Sequence, residues 1–127
     1  MNQIGQIAIP VSNTDRSEAF YETTLGLRKL YRYGDLSFFD CAGVRLMLSP
    51  PEQGQPVTPG QGAIYFRVAD LVLAVQDLKG KGIDVFSEPH LLAAMPDHDL
   101  WMAFVHDPDG HVIGLMMEAP KGYALPA

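Results

Sequence analysis

At 127 residues, with 47% hydrophobic and 19% charged side chains, the chain is long enough for one folded domain and too well supplied with apolar groups to be disordered. A net charge of −6 and a pI near 5.0 argue against nucleic acid and anionic membranes as partners, because both are held mainly by Lys and Arg. The single cysteine, Cys41, rules out an internal disulfide; with no basic-then-apolar leader and no apolar run of about 20 residues, the expected location is the cytoplasm.

"IGQIAIPV" is a short run rich in β-branched residues and reads as a strand. "SNTDRSEAFYETTLGL" follows as a helix: Ser12, Asn13 or Thr14 can cap it, and Gly26 can end it in a left-handed conformation. "RKLYRY", "LSFFD" and "VRLMLS" read as three strands joined by turns at Gly34-Asp35 and Ala42-Gly43. "PPEQGQPVTPGQG", with four prolines and three glycines, reads as an exposed linker. The pattern then repeats. "GAIYFRVADL" supplies a strand and the cap Asp70; Leu71, Ala74, Val75 and Leu78 have the spacing of one helix face, which Gly80 or Gly82 ends. "IDVFSEP", "LWMAFVH" and "HVIGLMME" supply strands, with "HLLAAMPDHD" expected as a loop between the first two.

Both halves are thus β-α-β-β-β, and they align in detail. Gln6 to Asn13 lies over Ala63 to Asp70, and Asp40 to Leu48 over Asp107 to Leu115. The expected fold is α+β: a single domain, 1–127, with modules at 4–49 and 62–118, a linker at 50–61 and a tail at 119–127. The paired modules would form a curved mixed sheet around a concave pocket.

"HDPDGH", residues 106–111, concentrates groups able to bind a metal, yet turn chemistry accounts for its centre. Pro108 and Asp109 suit the middle of a type I turn, and Gly110 the left-handed position after it. Counted as a four-residue loop, the turn sets His106 opposite His111, on the face of Phe104, Ile113 and Leu115. Two cross-strand histidines could chelate a metal, but no third ligand is fixed beside them, and a solvated pair at the sheet's end is the expectation.

"QIAIPVSNTDRSEAFYETTLGL", "GAIYFRVADLVLAVQDLKGKGI" and "FVHDPDGHVIGLMME" resemble the vicinal oxygen chelate superfamily, which contains glyoxalases, bleomycin-resistance proteins and extradiol dioxygenases. In its metal-dependent members each module supplies two ligands, one at the start of its first strand and one on its last. The resemblance carries these onto Gln6 and Ala63, and onto Met47 and Gly114. Ala63 and Gly114 have no side-chain donor, and a thioether prefers soft metals. The resemblance therefore implies a member without the usual metal ligands and without a cofactor. It also implies a homodimer, with sites that some relatives build from two chains.

With those four positions inward, strand alternation adds Ala8, Pro10, Arg45, Tyr65, Arg67, Val112 and Met116 to the concavity, and pairing with the last strand adds Trp101, Ala103 and Val105. Ile7, Ile9, Leu46, Leu48, Ile64, Phe66, Val68, Ile113 and Leu115 would face the helices. Gln6, Arg45, Met47, Tyr65, Arg67, Trp101 and Gly114 are the expected ligand-binding residues. Two arginines with an aromatic wall from Tyr65 and Trp101 would favour an anionic or aromatic small molecule. His90 and His98 lie on a segment without a counterpart in the first half, and His90 is the candidate acid or base.

Four functions fit these residues: a metal-free binding protein of the bleomycin-resistance type; a lyase or isomerase using His90 or a relocated metal; a glyoxalase-type metalloenzyme with Gln6 among its ligands; and an interaction module without a ligand. The first is the preferred expectation.

Overall fold

Asn13 and Asp70 start the two helices, each from an extended backbone, and each side chain accepts a hydrogen bond from a first-turn amide, Arg16 N–H at 3.0 Å and Leu73 N–H at 3.1 Å. This is the N-cap geometry that satisfies amides left without an intrahelical partner. A computed structural model of the chain describes residues 1–60 and 62–126. It divides into two compact units, Met1–Pro59 and Gly60–Ala127, and the division falls within the proline-rich segment. The strands hydrogen-bond as two four-stranded mixed sheets, one in each unit.

In the first unit, β1 (Gln6–Pro10) leads into α1 (Thr14–Ala19), which continues as a π-helical turn over Phe20–Thr24. β2 (Arg28–Tyr33), β3 (Leu36–Cys41) and β4 (Val44–Ser49) follow, and the sheet order is β1-β4-β3-β2 with β1 parallel to β4. Two-residue turns join the last three strands. Gly34 has φ +57°, and Ala42 and Gly43 have φ +52° and +93°. A two-residue turn with both residues left-handed matches the twist of the flanking strands. One sheet face carries Ser37, Phe39, Leu46 and Leu48, all buried, toward α1.

The second unit repeats this order. β5 (Ile64–Arg67) precedes α2 (Leu71–Gly80), followed by β6 (Val85–Ala94), β7 (Asp99–His106) and β8 (Val112–Ala119) in the order β5-β8-β7-β6. α2 buries Leu71, Val75 and Leu78. It ends at Gly82, φ +80°, where Ile83 N–H reaches the Leu78 carbonyl and Gly82 N–H the Lys79 carbonyl. That double closure makes Gly82, not Gly80, the terminating glycine.

Two expectations are corrected. "HLLAAMPDHD" is not a loop: His90 to Ala94 belongs to β6 and pairs with Met102 to Asp99, leaving only Met95–His98 between the strands. Its alternation is hidden because register breaks fall at three places along β6, and Pro89 sits where only an edge strand can carry it. The β7–β8 turn is also one residue tighter than counted. Asp107 N–H donates to the His111 carbonyl at 2.9 Å, and Asp107 Oδ1 accepts from the amides of Asp109 and His111, both at 2.9 Å. Asp107 and His111 thus close a three-residue loop with Gly110 left-handed at φ +86°. His106 consequently pairs with Val112, not His111.

That one-residue difference turns β7 over, because side chains alternate with period two. Phe104 lies opposite Gly114, and Trp101, Ala103 and Val105 lie opposite Met117, Leu115 and Ile113. Ala103 and Val105 are fully buried on the helix-facing side, and Trp101 shares that side. Met102, Phe104 and His106 take the face of Tyr65 and Arg67.

Candidate functional site

In the first unit, the sheet face away from α1 carries Gln6, Arg45, Met47, Phe38 and Tyr31. β1 and β4 place Gln6 beside Arg45, and β3 places Phe38 beside Met47, with Tyr31 next to Phe38 on β2. Arg45 Nε donates to Gln6 Oε1 at 2.7 Å, while Gln6 Nε2 lies 3.7 Å from Met47 Sδ. The thioether thereby holds the amide with its oxygen toward the guanidinium. The guanidinium carbon sits 5.5 Å from the centre of the Phe38 ring, within cation–π range, and Tyr31 stacks on Phe38 at 4.6 Å. Phe38 is buried; Tyr31 is 48% exposed, so one aromatic face is open.

Arg45 is exposed and has no carboxylate partner among the described residues. Asp40 stands opposite it on β3, but Asp40 accepts from Gly43 N–H at 3.1 Å and approaches Arg28 at 3.9 Å. Arg67, its expected companion, is different: Glu118 Oε1 lies 3.1 Å from its Nη2, so its charge is already matched.

In the second unit, Tyr65, Phe104, Phe86, His90 and His106 make an aromatic cluster. Tyr65 meets Phe104 edge-on at 5.8 Å; Phe86 stacks on His106 at 4.1 Å and on Phe104 at 6.1 Å; His90 lies 6.3 Å from Phe104. Gly114 lies beneath it. A Cβ there would come within 3.0 Å of Tyr65 Cγ and 3.3 Å of Phe104 Cε1, so the absent side chain is what lets both rings lie on the strand. His90 is half-buried on β6, with Nδ1 2.8 Å from the Glu88 carbonyl. A carbonyl can only accept, so that contact places the proton on Nδ1 and leaves the Nε2 lone pair available.

The remaining singled-out residues are placed elsewhere. Trp101 packs against Tyr123 at 5.5 Å, and its Nε1 is buried without a hydrogen-bond partner among the described residues. It does not form a wall with Tyr65. His98 contacts Asp97 at 2.7 Å, and this contact foremost holds the Asp97 carboxyl below its ordinary range. Cys41 is kept a thiol by burial and by the charge of Asp40, a poor state for a nucleophile. Sequence reasoning missed Phe38 and Tyr31. The two-residue turns at Ala42-Gly43 and Gly34-Asp35 set their register, so counting back from Met47 and Leu36 reaches both.

The family's four metal-ligand positions do not suit a hard divalent ion here. Gln6 Oε1, the one hard oxygen donor among them, already accepts from a guanidinium whose positive charge would repel a second cation. Met47 offers a soft thioether, Ala63 nothing, and Gly114 lies under aromatic rings. Among the described residues no group of three or more His, Cys, Asp or Glu is placed to hold a metal ion, and no helix is long and apolar enough to cross a membrane.

Tandem β-α-β-β-β units, with polar and aromatic groups on the sheet faces away from the helices, define the class of protein. Residues 3–115 match the family described as the Glyoxalase/Bleomycin resistance protein/Dioxygenase superfamily, and the chain belongs to it. It is similar in structure to a lactoylglutathione lyase from Agrobacterium tumefaciens, at 22% identity over 92% of this chain and 94% of that one, with a TM-score of 0.74. It is also similar to a glyoxalase-related enzyme from Fulvimarina pelagi (22% identity, 93% and 89% covered, TM-score 0.73) and to an integron cassette protein from V. cholerae (16%, 92% and 95%, 0.76). At these identities the likeness is one of fold. No curated protein matches the chain.

Proposed function

We propose that the protein is a small-molecule-binding member of the superfamily that works without a divalent metal at the family's ligand positions, and that its ligand is aromatic, anionic or both. The observation that carries this reading is the 2.7 Å contact from Arg45 to Gln6: a fixed cation engages the one hard donor left at those positions. An exposed guanidinium without a carboxylate partner among the described residues is a recognition group for a small organic anion. Metal analysis after growth and purification with added Ni, Zn, Mn and Fe tests the first half; the expected content is far below one ion per chain. One tightly held ion per chain would overturn it. Calorimetric titration with a broad panel of aromatic and anionic compounds tests the second half, and binding of none would favour an interaction module instead.

A second reading has one observation in its favour. His90 has its Nδ1 proton engaged by the Glu88 carbonyl, so Nε2 is presented as a base, which suits proton transfer in a lyase or isomerase. Once a turnover is found, His90→Ala is expected to lower kcat by about a hundredfold or more under this reading. An unchanged rate removes it.

A further inference from the structure

We infer that Pro120–Tyr123 is a strap over Trp101 that opens and closes as a unit, with Asp99 as its catch. β8 ends at Ala119, which pairs with Asp99 at the start of β7. The chain then turns back on itself. Tyr123 N–H donates to the Pro120 carbonyl at 3.1 Å, and Gly122, at φ +85°, takes the left-handed third position of a type II turn. The turn brings the Tyr123 ring to 5.5 Å from Trp101. One carboxylate fastens it. Asp99, only 7% exposed, accepts from Lys121 Nζ at 2.9 Å on one oxygen and from Gly122 N–H at 3.0 Å on the other. Lys121 Nζ also donates to the Met95 carbonyl at 2.9 Å.

Two observations make this a moving part rather than a fixed edge. The first is a cost of closure. Trp101 Nε1 is buried with no hydrogen-bond partner among the described residues, so the closed strap covers a donor that water would satisfy. Opening returns the indole N–H to water and offsets part of what the Asp99 contacts contribute. The second is room. A cavity of about 540 Å³ lies between the strap and Ala69–Asp70 at the start of α2, with Met117 and Glu118 of β8 also lining it. On that side the strap borders space instead of packed side chains, and Lys121, half of the catch, is itself half-exposed. Few contacts must break for the strap to lift, which is the signature of a segment that opens without the rest of its unit.

Native-state hydrogen exchange of the full chain, followed by nuclear magnetic resonance, tests this. Trp101 is the one tryptophan, so its indole N–H gives a single resonance. The indole and the Gly122 amide are expected to share one opening constant. It should exceed that of the buried β7 amides of Met102 and Ala103 by about tenfold or more, and depend less on added urea. Lys121→Met, which removes both Nζ contacts, is expected to raise the two constants by about tenfold or more. Gly122→Ala strains the left-handed turn without meeting a neighbour and is expected to raise them by about fivefold or more. The far-ultraviolet spectrum of each variant verifies its fold. Exchange of the indole and Gly122 only together with the β7 amides overturns the strap, because the segment then leaves only when the unit unfolds. Different opening constants at the two sites overturn the shared motion, and constants unchanged in Lys121→Met overturn the catch.

Discussion

Arg45 and Gly114 act in opposite ways, one through the side chain it has and the other through the one it lacks. Gly114→Ala pushes a methyl group into the Tyr65 ring at 3.0 Å, where the contacted atom is the root of the ring and the whole side chain must swing. A loss of about 1–3 kcal/mol in stability is expected, measured by urea unfolding, and most of it should vanish in a Tyr65→Ala background. Ala42 points the other way. Its φ of +52° is a conformation that costs a residue with a Cβ about 1–2 kcal/mol, so Ala42→Gly is expected to raise stability by about 0.5 kcal/mol after the greater chain entropy of glycine is set against that relief. A fall in stability would show that the turn gains from Ala42 in some other way. Trp101, the one tryptophan, lies on the helix-facing side of its sheet. Its fluorescence therefore follows unfolding of the second unit.

Among the elements, the helices were the most legible in the sequence, because caps and apolar spacing are local. Asp70 and the Leu71, Val75, Leu78 stripe stand where the spacing puts them, and Asp70→Ala is expected to cost about 1 kcal/mol, read as a lower thermal midpoint. The candidate site was legible on one unit and misread on the other for the same reason. On the first unit, β1, β3 and β4 have regular registers, so alternation carries Gln6, Arg45 and Met47 to one face. On the second, the face of β7 depends on whether the turn closes at His106 or Asp107. The carboxylate of Asp107 decides it by accepting two amides of the loop, a contact that residue order alone does not reveal. α1 carries a further test at its contact with β2 and β3. Burial disfavours the Glu18 carboxylate, but the Ser37 hydroxyl at 2.6 Å, Arg32 and Lys29 outweigh it and hold its pKa below the ordinary glutamate range. A depressed folded-state pKa gives stability that is complete above the unfolded value, about 4.3, and is lost as pH falls through the folded value. Glu18→Gln is accordingly expected to reduce stability at neutral pH and to flatten the decline below about pH 4. An acid limb identical to wild type would remove Glu18 from the cause. Asp99, held low chiefly by Lys121 at 2.9 Å, contributes in the same direction in the second unit.

For the molecule as a whole, an acidic surface and a locally unmatched guanidinium are compatible, because the first acts over a Debye length of about 8 Å and the second at contact. The irregular outer strand β6 bears on a different hazard. It exposes Phe86, Leu91 and Leu92 along the rim of its sheet, an apolar border onto which foreign chains could add themselves. Three breaks in register and the missing amide of Pro89 leave no long uninterrupted row of donors and acceptors to copy. The kinks that conceal this strand from sequence reading thus also guard the protein against fibrous self-accretion. Pro89→Val, which returns an amide to the rim, is expected to scatter more light on concentrated storage than the parent chain.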